Sequence, residues 1–194
     1  MDFLSGLLRL FRQWAQLLTD LPAWERTVQA QPIRLREVSD FGVNPGNLRM
    51  FAYVPRQPPS SPALIVVLHG CLQTAAGYDY GAGWSTLADR YGFALLFPEQ
   101  RQENNPQRCF NWFRPEDSER DQGEALSIRQ MVERMIRAHG IDRRRVFVTG
   151  LSAGGAMTSV LLATYPEVFF GRGVDRRHPL PMRHRCARSP PLHV

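Results

Sequence analysis

The chain has 194 residues, 43% hydrophobic and 22% charged, with 15 glycines and 15 prolines, a composition that fits one globular domain and excludes collagen-like or disordered low-complexity chains. All 24 basic residues are arginine, and the formal charge is +6. Six of those arginines (Arg172, Arg176, Arg177, Arg183, Arg185 and Arg188) face a single acid, Asp175, over residues 171–194, so the body of the chain is nearly neutral and no nucleic-acid partner is expected.

In chain order, residues 3–18 are apolar, with Leu4, Leu7, Leu8, Phe11, Trp14 and Leu18 at helical spacing. Arg9 and Arg12 interrupt the run and no basic segment precedes it, so residues 1–30 read as an amphipathic helical leader rather than a cleaved signal. No run approaches the roughly 18 apolar residues of a membrane span, and none is expected. Residues 33–38 and 48–54 then read as two strands around Gly42, Asn44, Pro45 and Gly46, a hairpin. A proline-rich connector, 55–62, leads into the continuous aliphatic run 63–68, which suits a strand buried on both faces.

A helix is predicted over 82–91, a short buried strand over 93–97 ended by Pro98, and a long polar loop over 99–120. Apolar spacing at Leu126, Ile128, Met131, Val132, Met135 and Ile136 predicts a helix over 123–139, closed by Gly140. Another buried strand, 146–149, and a helix over 153–165 stopped by Pro166 complete the pattern. Strand and helix alternate throughout, which predicts an α/β fold with a mostly parallel sheet flanked by helices.

Gly150-Leu151-Ser152-Ala153-Gly154 matches G-x-S-x-G. Its setting between a predicted strand and a helix opening Ala153-Gly154-Gly155-Ala156 is that of a nucleophile elbow, in which Ser152 is the attacking group. His69-Gly70-Cys71 follows the buried strand 63–68, where α/β-hydrolases place one half of an oxyanion hole, the first residue of the helix after the serine supplying the other. His69 lies upstream of the serine, against the order nucleophile, acid, histidine, so its role is read as structural.

These segments, together with Gly83-Trp84-Ser85-Thr86-Leu87-Ala88 and Cys109-Phe110-Asn111-Trp112-Phe113, resemble the polyhydroxybutyrate depolymerase esterases from about residue 30 to Phe169. The resemblance implies an extracellular serine esterase that forms an acyl-Ser152 intermediate. Its oxyanion hole is built from the Cys71 and Ala153 amides, and it needs neither cofactor nor metal. The implied partner is a polyester, an oligoester or another small ester. Feruloyl and acetylxylan esterases share much of the pattern and give the alternative function. Cys71 and Cys109 both follow sheet strands, and they either close a disulfide or remain two free thiols; Cys186 would be unpaired.

The chain departs from the family beyond Ser152. The acids there are Glu167 and Asp175, the histidines His178, His184 and His193, and no predicted strand delivers them. The triad acid and histidine are thus not identifiable. Residues 31–170 read as the N-terminal part of an α/β-hydrolase domain with its C-terminal strands missing, and residues 171–194 as a basic, unstructured tail of the kind a frameshift leaves. The expectation is an inactive chain, or a non-catalytic remnant that kept the sheet.

Overall fold

The computed structural model describes residues 34–169. The leader read over residues 1–30 and the tail over 171–194 lie outside them.

Two short strands, β1 (Arg36–Val38) and β2 (Arg49–Tyr53), pair antiparallel as the expected hairpin. The connecting turn is held by Asn44, whose Nδ2 donates to the Leu48 carbonyl and whose Oδ1 accepts the Leu48 amide. After the proline-rich connector come β3 (Leu64–Leu68), helices α1 (Ala75–Ala82) and α2 (Trp84–Tyr91), and β4 (Ala94–Glu99). A loop then carries the short helix α3 (Pro115–Ser118) and leads to the long α4 (Gly123–His139). The described part ends with β5 (Val146–Gly150), α5 (Ala153–Thr164) and α6 (Pro166–Phe169).

The five strands form one sheet in the order β1-β2-β4-β3-β5. β3 pairs parallel with both β4 and β5, and β2 alone opposes the others. The chain leaves β3 toward β4 on one side, and α4 carries it from β4 across β3 to β5 on the other. Such a reversal opens a crevice at the carboxyl ends of the strands, where α/β sheets bind ligands.

Alternation along the strands separates two apolar layers. Leu64, Val66 and Leu68 of β3 join Ala94 and Leu96 of β4 beneath α4 and α5, against Ile128, Met131, Met135, Met157 and Leu161. Val67 of β3, with Leu95 and Phe97 of β4, faces Ala75 and Ala88 of α1 and α2. Burying such aliphatic side chains is worth about 1.5–3 kcal/mol each, which is why β3 reads as an uninterrupted apolar run.

Two sequence expectations need adjustment. Helix α1 was not expected: Ala75-Ala76-Gly77-Tyr78 shows little apolar periodicity, and the helix is instead set by its ends. Thr74 caps it by accepting the Gly77 amide at 3.1 Å, and the buried Glu99 carboxylate accepts the Ala75 amide at 2.7 Å. β4 also runs through Pro98 instead of stopping before it. Its pairing with β3 covers only Ala94–Leu96, so at Pro98 the missing N–H removes no ladder bond on that side. Among the described residues no helix is long and apolar enough to cross a membrane.

Candidate active site

Ser152 sits between β5 and α5 with φ 53° and ψ −117°, a positive-φ conformation that costs a non-glycine residue about 1–3 kcal/mol. The surroundings fix it there. The Leu151 amide donates to the Leu68 carbonyl at 3.0 Å, and the Gly154 amide turns back to the Leu151 carbonyl at 2.9 Å. A Cβ at Gly150 would stand 2.4 Å from the backbone of Gly154, and one at Gly154 would stand 2.3 Å from the Leu68 carbonyl oxygen. Only glycine lets α5 approach the ends of β5 and β3 this closely. The Ser152 side chain is exposed and has no hydrogen-bond partner among the described residues.

The segment after β3 lies directly against this turn. A Cβ at Gly70 would be 3.6 Å from that of Ser152. Within the segment, the Gly70 amide donates to Gln73 Oε1 at 2.8 Å, the Leu72 amide to the Gln107 carbonyl at 2.7 Å, and the Gln73 amide to the Gly70 carbonyl at 3.3 Å. The Cys71 amide between them has no acceptor among the described residues, and neither does the Ala153 amide at the start of α5. The three residues singled out from the sequence, Ser152, Cys71 and Ala153, thus come from adjacent strand ends, with both amides unengaged. Donors held in place at a position where negative charge develops are the arrangement that lowers acyl-transfer barriers.

His69 is 1% exposed and packs at a tilt against the buried Phe110, ring centroids 4.9 Å apart. Its Nδ1 lies 2.7 Å from the Gly70 carbonyl oxygen and its Nε2 accepts the Gln100 amide at 3.1 Å. Both nitrogens are therefore occupied by backbone, and burial holds the imidazole below its usual pKa. A histidine so engaged cannot take the proton of Ser152.

The loop after β4 is tied to the same place. Cys71 and Cys109 form a disulfide with a Cα–Cα distance of 4.3 Å, which closes the alternative left open by the sequence. Behind it lies a polar cluster that the sequence did not single out. Glu124, 1% exposed near the start of α4, accepts Gln100 Nε2 at 2.5 Å, the Asn111 amide at 3.0 Å and Asn111 Nδ2 at 2.8 Å. Gln100 Nε2 also donates to the Cys109 carbonyl at 3.1 Å. Burial raises the Glu124 carboxyl to about 7 against these donors. Its partners are 13 and 24 residues away, a pairing with no local signature.

No histidine or carboxylate reaches Ser152 among the described residues. His139 ends α4, and Glu167 is ion-paired with Arg120 at 2.6 Å. Asp175, His178, His184 and His193 lie outside the described part. Leu72 and Leu151, the sequence neighbours of Cys71 and Ser152, are 73% and 48% exposed.

The sequence profile of one family, described as esterase PHB depolymerase, matches residues 52–180. A poly(3-hydroxyalkanoate) depolymerase C of Paucimonas lemoignei is 52% identical over 80% of the chain and 36% of its own length. A feruloyl esterase B of Neurospora crassa is 41% identical over 70% of the chain and 46% of its own length. The acetyl xylan esterase of Aspergillus awamori superimposes with a TM-score of 0.65 at 39% identity, covering 70% of the chain and 48% of that structure. The chain thus spans less than half the length of each of these three relatives.

Proposed function

The chain belongs to the PHB depolymerase esterase family, and from that premise we propose that its site cleaves carboxylic esters through an acyl-Ser152 intermediate, with polyhydroxyalkanoate as the substrate. The observation that carries this reading is the strained Ser152 turn set against two unengaged amides. Ser152 Oγ adds to the acyl carbon, and the carbonyl oxygen, now an oxyanion, is received by the Cys71 and Ala153 N–H groups. Collapse expels the alcohol and leaves the acyl group on Ser152. Water then attacks, releasing the acid and restoring the hydroxyl. The proton of Ser152 must pass to a histidine held by a carboxylate, and these come from outside residues 34–169. Because no predicted strand beyond Ser152 delivers an acid or a histidine, we place the ester turnover of the 194-residue chain at least roughly a thousandfold below that of a chain supplying both groups.

The exposed Leu72 and Leu151 beside Cys71 and Ser152 support an uncharged aliphatic polyester. Identity of 41% to a feruloyl esterase supports a second reading, a carbohydrate esterase that removes feruloyl or acetyl groups. Release of hydroxyacid from poly(3-hydroxybutyrate), compared with release from methyl ferulate and acetylated xylan, decides between them. The Cys71–Cys109 disulfide favours an oxidising, extracellular setting. The mechanism is tested with a fluorophosphonate on a chain that supplies both groups: label is expected on Ser152, and Ser152→Ala in that chain should lose both label and turnover. Label on a different serine overturns it.

A further inference from the structure

We propose that residues 3–18, docked as a helix, cover the exposed apolar face that the sheet presents beside α2, at its β3–β5 edge. The proposal is independent of the ester chemistry above.

On this side of the sheet, Val67, Leu95 and Phe97 lie against α1 and α2. β5 is the last strand of the sheet among the described residues. Its Val146 and Val148 belong to the layer under α4 and α5, so alternation turns Phe147 to the side of α1 and α2, opposite Ile65 in the β3–β5 register. Phe147 is 48% exposed and Ile65 is only half-buried. α2 extends the patch. Arg34 bonds to Ser85 at 3.1 Å, to Asp89, and to Tyr53 of β2, which sets the Ser85–Asp89 flank of α2 toward β2. Leu87 and Tyr91 each lie about 160° around the helix from Asp89, on the flank toward β3 and β5, and both are exposed. Four large apolar side chains from three elements therefore share one face, and a contiguous exposed apolar patch marks a contact surface where scattered residues would not.

The place where the described chain begins selects the occupant. Leu35 is buried in the layer on the α1 and α2 side and Arg34 rests on α2, so residues 1–33 join the fold on this side of the sheet. Phe169 is buried in the opposite layer, and the residues after it start from the other side. Leu4, Leu7, Leu8, Phe11, Trp14 and Leu18 fall within an arc of about 120° on a helix, with Arg9, Arg12, Gln13 and Gln16 on the opposite face. A helix with one apolar stripe needs an apolar surface against which to bury it. Over residues 3–18 such a helix is about 24 Å long, enough to run the length of the five-residue β5, about 17 Å. Residues 19–33 span up to about 50 Å when extended, several times the roughly 10–12 Å diameter of the helix that separates Arg34 from the patch.

Hydrogen–deuterium exchange of the 194-residue protein, read on peptic peptides by mass spectrometry, tests the contact. Residues 3–18 are expected to exchange at least roughly tenfold more slowly than an unstructured chain. The double variant Leu87→Glu, Tyr91→Glu and the single variant Phe147→Glu should each release that protection while β3 and β4 keep theirs. The double variant Leu7→Glu, Phe11→Glu, with both changes outside the sheet, should release it too and speed exchange in α2. If Phe147→Glu also exposes β3 and β4, that variant has unfolded and the other two decide. Unprotected exchange of residues 3–18 in the wild type overturns the proposal, and so does protection that survives the α2 variant. Protection that falls on dilution assigns the stripe to a second copy of the chain, and protection that appears only with phosphatidylglycerol vesicles assigns it to a lipid surface; either result overturns the proposal.

Discussion

Gly154 shows how little latitude the Ser152 turn has. The atoms that a side chain there would meet, the Leu68 carbonyl oxygen at 2.3 Å and the His69 carbonyl oxygen at 2.6 Å, are backbone and cannot swing away. Gly154→Ala should therefore destabilise the protein by roughly 3 kcal/mol, at the upper end of overpacking costs. One residue on, Gly155 offers the contrast: its nearest atom to an added Cβ is the Gly150 carbonyl oxygen at 3.3 Å, and alanine is the better helix former by about 1 kcal/mol. Gly155→Ala should stay within about 1 kcal/mol of wild type. Urea denaturation of the two variants checks the pair, and equal losses would mean that the turn is looser than its geometry. The G-x-S-x-G spacing made Gly150 and Gly154 legible in the sequence, because a tight strand-to-helix turn is the physical content of that motif.

At the scale of elements, the start of α4 serves as the anchor for the loop after β4, through Glu124. Its carboxyl titrates near 7 in the folded protein, against 4.5 for the ordinary group, because burial disfavours the anion. Between those values the folded state binds more protons than the unfolded chain. The contribution to stability is then full below about 4.5 and is lost as pH rises through about 7, by roughly 3 kcal/mol at most. Glu124→Gln cannot titrate, so the fall in urea midpoint from pH 5 to pH 8 should be smaller in the variant than in the wild type. Parallel curves would refute this role. The cluster was not legible beforehand: Asn111 stood in the sequence only as part of the Cys109–Phe113 block, and Gln100 and Glu124 are unremarkable polar residues until β4 and α4 are packed together. The strands were legible for the opposite reason. Val66, Val67 and Leu68 declare burial on both faces by composition alone, whereas α1, set by Thr74 and the distant Glu99, does not.

For the molecule as a whole, the Cys71–Cys109 bond encloses a segment with a sequence separation of 38, and the loop-closure estimate for that length is about 4 kcal/mol of stabilisation. The double variant Cys71→Ala, Cys109→Ala should lose stability of that order in denaturation, while its ester hydrolysis falls only partly, since the Cys71 N–H survives removal of the side chain. Complete loss of turnover with an intact fold would instead assign chemistry to sulfur. The same bond joins the segment after β3 to the loop after β4, enclosing α1, α2 and β4, and a chain closed in this way tolerates being cut. A protease that nicks the backbone anywhere from Leu72 to Arg108, at the exposed Arg90 for instance, makes two polypeptides but does not separate them. Without reductant, the nicked protein should remain one species of 22.2 kDa on electrophoresis, and with reductant it should resolve into two fragments.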